Sequence, residues 1–177
     1  MQLDVADGDV VARVARDLGG RAIDLLVNNA GVWGGERQHL PDIDFDGWMR
    51  TLDVNTLGPV RVSLALLPNI EAGRGRRIVA LTSGLGSIGD NTAGRYYAYR
   101  SRKAGLNAVF RSLALDLKGR GIAVAVLSPG WARTDMGGPD ATLSAAESVA
   151  DMRRVIEGLD LRRSGGFYNV DGSSLPW

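Results

Sequence analysis

The stretch "AIDLLVNNAG", residues 22–31, decides how the rest of the chain is read. Ile23, Leu25, Leu26 and Val27 form a near-continuous apolar run that stops in Asn28, Asn29 and Gly31. A short apolar run ended by turn residues is the pattern of a strand buried on both faces. Two further runs repeat it: "RRIVALTS" at 76–83 and "IAVAVLSPG" at 122–130, the latter closed by Pro129–Gly130. "MQLDV" at 1–5 gives a short alternating strand signal at the start, and "GGFYNVDG" at 165–172 supplies a last strand.

Amphipathic segments separate these runs. In "ADGDVVARVARDLGG" Val10, Val11, Val14 and Leu18 recur at helical spacing, with Asp7 placed to cap the start and Gly19–Gly20 to stop the helix. "FDGWMRTLDVNTLGPVRVSLALLPNI", residues 45–70, predicts one long helix with Leu52, Leu57, Val60, Leu64 and Leu67 on or near one face and a bend at Gly58–Pro59. "YAYRSRKAGLNAVFRSLALDLKGRG", residues 97–121, predicts a second, with Leu106, Val109, Phe110, Leu113 and Leu117 inward. Ser144 and Glu147 have capping-box spacing and open a helix over 145–159. Strands alternating with helices predict an α/β fold, a doubly wound parallel sheet, in a single domain over 1–177. In such sheets the ligand crevice lies beyond the carboxyl ends of the strands. Asn28 to Gly31, Ser83 with the glycines after it, and Pro129–Gly130 all fall there.

Bulk properties narrow the function. The 177 residues are 45% hydrophobic and 23% charged with a formal net charge of +1, so neither nucleic acid nor an anionic membrane is expected as a partner. Arginines are scattered among acids along the whole length, which reads as solvated surface. There is no cysteine, which excludes disulfides and thiolate metal sites. No early apolar run resembles a signal peptide and none approaches a membrane span, so a cytoplasmic protein is expected. The single histidine, His39, has no serine near it in sequence and is expected to be an exposed loop residue rather than part of a hydrolytic triad.

Tyr99 and Lys103 stand four apart and therefore project from one face of the second long helix. A nearby ammonium favours phenolate, which turns a tyrosine into a usable proton donor or acceptor. Tyr96 and Tyr97 lie at other positions around the helix. Alone, the pair is equally compatible with a surface helix that carries both residues by chance. "GLGSIG", residues 84–89, fits G-x-G-x-x-G after a strand, yet no helix opens within it and no acidic residue follows at the distance a ribose would need, so it reads as a flexible loop. Asn55 is a poor helix former inside a helical segment, either a tolerated polar residue or a group placed to bind a water or a backbone gap.

Taken in order and at these separations, Asn28-Asn29-Ala30-Gly31, Asn55, Ser83, Tyr99-x-x-x-Lys103 and Ser128-Pro129-Gly130 with Thr134 resemble the short-chain dehydrogenase/reductase family. "SGLGSIGDNTAGRYYAYRSRKAGLN", "PGWARTDMGG" and the terminal "LPW" are similar to its C-factor and Sniffer-like carbonyl reductase branch. The resemblance implies a Rossmann-like fold, NADP or NAD as cofactor, and a small carbonyl or alcohol substrate. It implies that Tyr99 is the acid/base, that Lys103 lowers its pKa and holds the nicotinamide ribose, and that Ser83 binds the substrate oxygen, with Ser87 a lower-ranked candidate. Asn55 would hold a water that relays protons to Lys103. Asp4 and Val5 would sit by the adenine, Asn29, Ala30 and Gly31 by the adenine-side ribose, and Pro129, Gly130 and Thr134 by the nicotinamide. Trp33, Trp131 and Met136 are placed to line the substrate pocket, and the two long helices are where such proteins pair into homo-oligomers.

The family pattern opens with a strand and T-G-x-x-x-G-x-G, and neither occurs here. "MQLDV" resembles the third strand of that pattern, so the sheet is expected to be N-terminally truncated, without its first two strands and helices. On that expectation "MQLDV" has no partner, "IDLLV" offers an open apolar edge, and the half that would read a 2′-phosphate is absent. Two readings follow: an oxidoreductase of the short-chain type, or a catalytically incompetent remnant of one that acts as a binding or signalling module.

Overall fold

The computed structural model describes residues 2–177. Four parallel strands form its centre, in the spatial order β1–β4–β5–β8: β1 (Leu25–Asn28), β4 (Arg77–Leu81), β5 (Ala123–Leu127) and β8 (Phe167–Tyr168). Leu26 stands opposite Ile78, and Ile78 opposite Val124, so the apolar runs pair side by side. A two-stranded antiparallel hairpin, β2 (Gln38–His39) with β3 (Asp42–Ile43), and a small parallel pair, β6 (Ala132–Arg133) with β7 (Leu143–Ser144), lie outside the sheet. Helices α1 (Gly8–Leu18), α2 (Phe45–Leu52), α3 (Gly58–Ala65), α4 (Leu67–Ala72), α5 (Tyr97–Lys118) and α6 (Ala145–Glu157) complete the chain.

The two faces of the sheet are covered unequally. One face, with Ile78, Ala80, Val124 and Val126, packs against α1, α3, α4 and α5 through Val11, Val62, Ile70, Leu106 and Phe110. On the other, Val79, Ala125 and Leu127 meet α6 through Val155, with Leu159 just beyond it. Because α6 covers only the far side of the sheet, Leu25 and Val27 of β1 are 39% and 38% exposed. β1 is thus an edge strand open on one face, not the doubly buried strand its apolar run suggests.

Helix ends follow the local chemistry. The Asp7 carboxylate accepts from the N–H groups of Asp9 and Val10, and Ser144 and Glu147 form a complete capping box. Two further readings of local pattern fail, the first in the way a truncated sheet without a partner for "MQLDV" implies. Gln2 to Asp4 have no regular structure and Val5 lies in a turn, because no strand stands beside β1 for that segment to join. The segment 45–70 is not one helix bent at Gly58–Pro59. It widens into a π turn over Asp53–Leu57, just before that pair, and breaks again at Leu66. Asn55 promotes the wide turn by donating its side-chain amide to the Thr51 carbonyl four residues back, at 2.9 Å. The extra residue in that turn rotates the apolar set, leaving Leu57 and Leu64 48% and 53% exposed while Thr56, Pro59, Val62 and Ser63 turn inward.

The carboxyl-terminal stretch folds back over the sheet end. Leu175 donates its N–H to the Phe167 carbonyl at 2.8 Å, the Trp177 ring lies 5.5 Å from that of Phe167, and Gly89 donates its N–H to the Trp177 carbonyl at 2.9 Å. Among the described residues no helix is long and apolar enough to cross a membrane.

Entry into β1 depends on Asn69. Buried on α4, it donates to the carbonyls of Gly19 and Arg21, both at 2.7 Å, and accepts from Ile23 N–H at 2.9 Å. Asn69→Ala is expected to cost about 1–2 kcal/mol, seen as a Tm lower by roughly 2–8 °C in thermal unfolding.

Candidate active site

A cleft of about 1150 Å³ opens at the carboxyl ends of β4 and β5, between the loop after β1, the first turns of α5 and the segment from Ser128 to α6. Its chemistry begins with how α5 starts. Tyr96, the residue before the helix, is left-handed at φ 53° and offers no side-chain cap. The β2–β3 hairpin supplies the missing acceptors. Gln38 Oε1 accepts from Tyr99 N–H at 2.9 Å, and His39 Nδ1 accepts from Tyr96 N–H at 3.3 Å. Gln38 is itself buried and tied to the Gly35 carbonyl through Nε2 at 2.6 Å. His39 is therefore half-buried against the Tyr96 ring, 4.9 Å away, rather than an exposed loop residue.

Tyr99 enters the cleft with its ring held on two sides. The Trp33 ring lies 4.9 Å away and the Arg102 guanidinium stands 4.3 Å over the ring centroid. One turn on, Lys103 Nζ donates to the Leu81 carbonyl at the end of β4, at 2.7 Å. Burial, and then the charge of Arg102, push the Lys103 amine down to about 8. Across the cleft Ser83 opens the short 3₁₀ turn Gly84–Gly86, and its Oγ accepts from Leu85 N–H at 3.2 Å, leaving the hydroxyl hydrogen for the cleft. Tyr99, Lys103 and Ser83 all line this space, although among the described residues no hydrogen bond joins them directly.

The loop after β1 is shaped by Asn55. Its Oδ1 accepts from Val32 N–H at 3.0 Å and its Nδ2 donates to the Val32 carbonyl at 3.3 Å. A Cβ on Gly31 would stand 2.7 Å from Asn55 Oδ1, so only glycine allows that approach. With both amide hydrogens given to the Val32 and Thr51 carbonyls, Asn55 keeps one lone pair of Oδ1 for a further donor such as a water. Asn29, Gly31, Pro129, Gly130 and Thr134 line the cleft, as do Trp33, Trp131 and Met136. Ala30 belongs to the same loop without lining it. Asp4 and Val5 stand apart: Asp4 Oδ1 accepts from Ala6 N–H at 2.9 Å, and Val5 is buried against Gly58. Ser87 is buried below the cleft and accepts from Asp90 N–H at 3.0 Å. The "GLGSIG" loop packs beneath α5, where a Cβ on Gly86 would meet Lys103 Cβ at 2.9 Å, and forms a single 3₁₀ turn rather than opening an α-helix.

Three residues of this site carry no sequence signal. Gln38 caps α5 from 61 positions away. Asn107 accepts from the Thr82 hydroxyl at 2.6 Å and donates to the Gly86 carbonyl at 3.3 Å, tying α5 to the loop that carries Ser83. Arg102, which composition reads as one more solvated arginine, is wholly buried in the cleft wall.

The short chain dehydrogenase family model matches residues 1–142. This chain belongs to the short-chain dehydrogenase/reductase family. It is therefore by family an oxidoreductase. C-signal of Myxococcus xanthus is 48% identical over 155 residues, covering 88% of this chain and 93% of that protein. Among solved structures, the carbonyl reductase Sniffer of D. melanogaster superposes with a TM-score of 0.94 at 33% identity, over 100% of this chain and 77% of that one. The NADPH-bound carbonyl reductase from chicken fatty liver gives a TM-score of 0.90 at 29% identity, over 99% and 75%. The family model, the C-signal relative and the Sniffer structure together support a Sniffer-like branch within the short-chain dehydrogenase/reductase family.

The Lys103 amine makes stability depend on pH in a definable window. It is charged in both folded and unfolded chains below about 8 and neutral in both above the ordinary 10.5. Between these values the unfolded chain binds more protons, so the fold gains stability as pH rises. The stability of Lys103→Met relative to the natural chain is expected to fall by about 2–3 kcal/mol across that window, as read by denaturant unfolding at stepped pH.

Proposed function

We propose that this chain moves a hydride between a nicotinamide dinucleotide, NADP or NAD, and a small carbonyl or alcohol substrate, with Tyr99 as acid/base. The observation that carries this reading is the meeting of Tyr99, Lys103 and Ser83 in one cleft at the carboxyl ends of β4 and β5. The donor set fits the nicotinamide half of such a cofactor. Lys103 uses one N–H on the Leu81 carbonyl and keeps two for a pair of ribose hydroxyls. Gly31 and Gly130 line the space with backbone, each packed where a Cβ would collide with Asn55 or with Leu143. The cofactor supplies or receives the hydride.

This chain's residues manage the oxygen and its proton. Ser83 donates its hydroxyl hydrogen to the substrate oxygen. Tyr99 gives its phenolic proton to that oxygen during reduction and takes one from the alcohol during oxidation. Asn55 serves the site by fixing the loop that carries Asn29 to Gly31, and Pro129, Gly130 and Thr134 form the opposite wall against the nicotinamide. Trp33, Trp131 and Met136 give the substrate an apolar lining, which suits a small organic carbonyl.

One observation favours a second reading, a binding or signalling module. The relative named C-signal is matched over 93% of its own length. Titrating NADPH and NADH into the purified chain separates the two readings, because a folded sample that binds neither removes the oxidoreductase reading. In a sample that turns over, Tyr99→Phe is expected to lower kcat by about 10²-fold or more while nucleotide affinity stays within about twofold. Equal losses in both would contradict the role given to Tyr99.

The helix face that carries Leu57 and Leu64, seven residues apart, supports pairing of two copies, as does Leu115, 61% exposed on α5. Leu64→Glu is expected to shift a homodimer toward monomer in sedimentation velocity. An unchanged sedimentation coefficient would remove this face as the interface.

A further inference from the structure

Arg102 is an anomaly on physical grounds. It is the largest of the fully buried side chains, at 0% exposure. Nη1 donates to the Val32 carbonyl, but Nε and Nη2 are buried with no hydrogen-bond partner. No carboxylate pairs with it among the described residues. Buried guanidinium groups without a counter-charge oppose folding, and unpartnered buried N–H groups add to that cost. A side chain that costs the fold this much and faces a reaction cleft calls for a role in the site.

Its neighbours indicate the role. The guanidinium is stacked on the Tyr99 ring, 4.3 Å from its centroid, while Trp33 holds the ring from elsewhere at 4.9 Å. Lys103, the next residue along the helix, lines the same cleft, and after burial the charge of Arg102 adds to what lowers its amine. The groups that face the pair are few. From α5 itself there is Tyr99; from the loop after β1, the Val32 carbonyl and Trp33; from the end of β4, the Leu81 carbonyl; from the π turn, Thr56, whose hydroxyl donates to the Arg102 carbonyl at 2.9 Å. Asp135 is the acidic residue lining the cleft, from its far wall, and forms no ion pair with either cation.

We infer that Arg102 is a positioning residue for the proposed reaction centre: its guanidinium fixes the Tyr99 ring and places an unpaired positive charge in the cleft wall that also carries Lys103. The inference rests on the reading of Tyr99 and Lys103 given above. Its consequence is a cleft wall with two cations, Arg102 and Lys103, and no carboxylate paired with either among the described residues. Burial and the attraction of Tyr99 act on Arg102 in opposite senses, and burial prevails, bringing it down to about 10.

The test uses the 177-residue chain and needs no turnover. The chain has two lysines, Lys103 and the exposed Lys118, so an NMR titration of the lysine ε-methylene signals reads Lys103 with Lys118 as internal reference. Arg102→Met, of similar length and uncharged, is expected to weaken proton dissociation from Lys103 about tenfold and to leave the Tm equal or higher. Arg102→Lys is expected to keep Lys103 near its natural midpoint. Should Arg102→Met fail to fold, Arg102→Gln keeps a donor for the Val32 carbonyl, removes the charge and gives the same readout. A Lys103 midpoint unmoved by loss of the Arg102 charge overturns the inference. Because no nicotinamide is involved, that outcome is distinct from a failure of the chain to bind cofactor.

Discussion

The site depends on how closely α5 lies on the loop that leaves β4. Gly86 sits against the helix where a single methyl would stand 2.9 Å from Lys103 Cβ, and Asn107 bridges the Thr82 hydroxyl and the Gly86 carbonyl from the next turn. This contact fixes the helix in register with the strand ends. Once it is made, Lys103 reaches the Leu81 carbonyl, Tyr99 enters the cleft one turn earlier, and Ser83 faces them from the start of the same loop. Buried side chains below, Leu106 and Phe110 against Ile78 and Val124, keep the helix on the sheet. The polar contacts above decide its longitudinal position.

Charge in this cleft is arranged by exclusion. Lys103 and Arg102 both line the cleft with Tyr99, and no carboxylate among the described residues pairs with either, whereas Asp53 pairs with Arg61, Glu71 with Arg120 and Asp42 with Arg37. Those pairs lie at the surface, where solvent screens them and their worth is small. The uncompensated pair is therefore the electrostatically significant one. Burial, and then the charge of Arg102, bring the lysine amine down to about 8, where a proton can move at little cost.

What the sequence discloses and conceals follows physical lines. β4 and β5 are legible because every residue of β5 is buried, so apolar side chains are needed on both faces. Tyr99 and Lys103 are legible because i,i+4 spacing on a helix is a geometric statement. The interruption at Asp53–Leu57 is not, since Asn55 acts through a hydrogen bond to its own helix and to a loop 23 residues away. Gln38 is concealed for the same reason: a cap supplied by a distant hairpin has no local pattern. Arg102 is concealed because charge is ordinarily a sign of solvent, and Leu57 and Leu64 because one added residue in a turn redirects an apolar stripe. "MQLDV" has the alternation of a strand, but alternation makes a strand only where a neighbouring backbone is there to pair with it.

The fold of the last residues ties the end of the chain to the floor of the cleft. Since Gly89 donates to the Trp177 carbonyl and the Trp177 ring packs on Phe167, the loop running from Ser83 is mechanically continuous with the carboxyl terminus. A purification tag or fusion partner joined after Trp177 would thus pull on the loop that presents the serine hydroxyl.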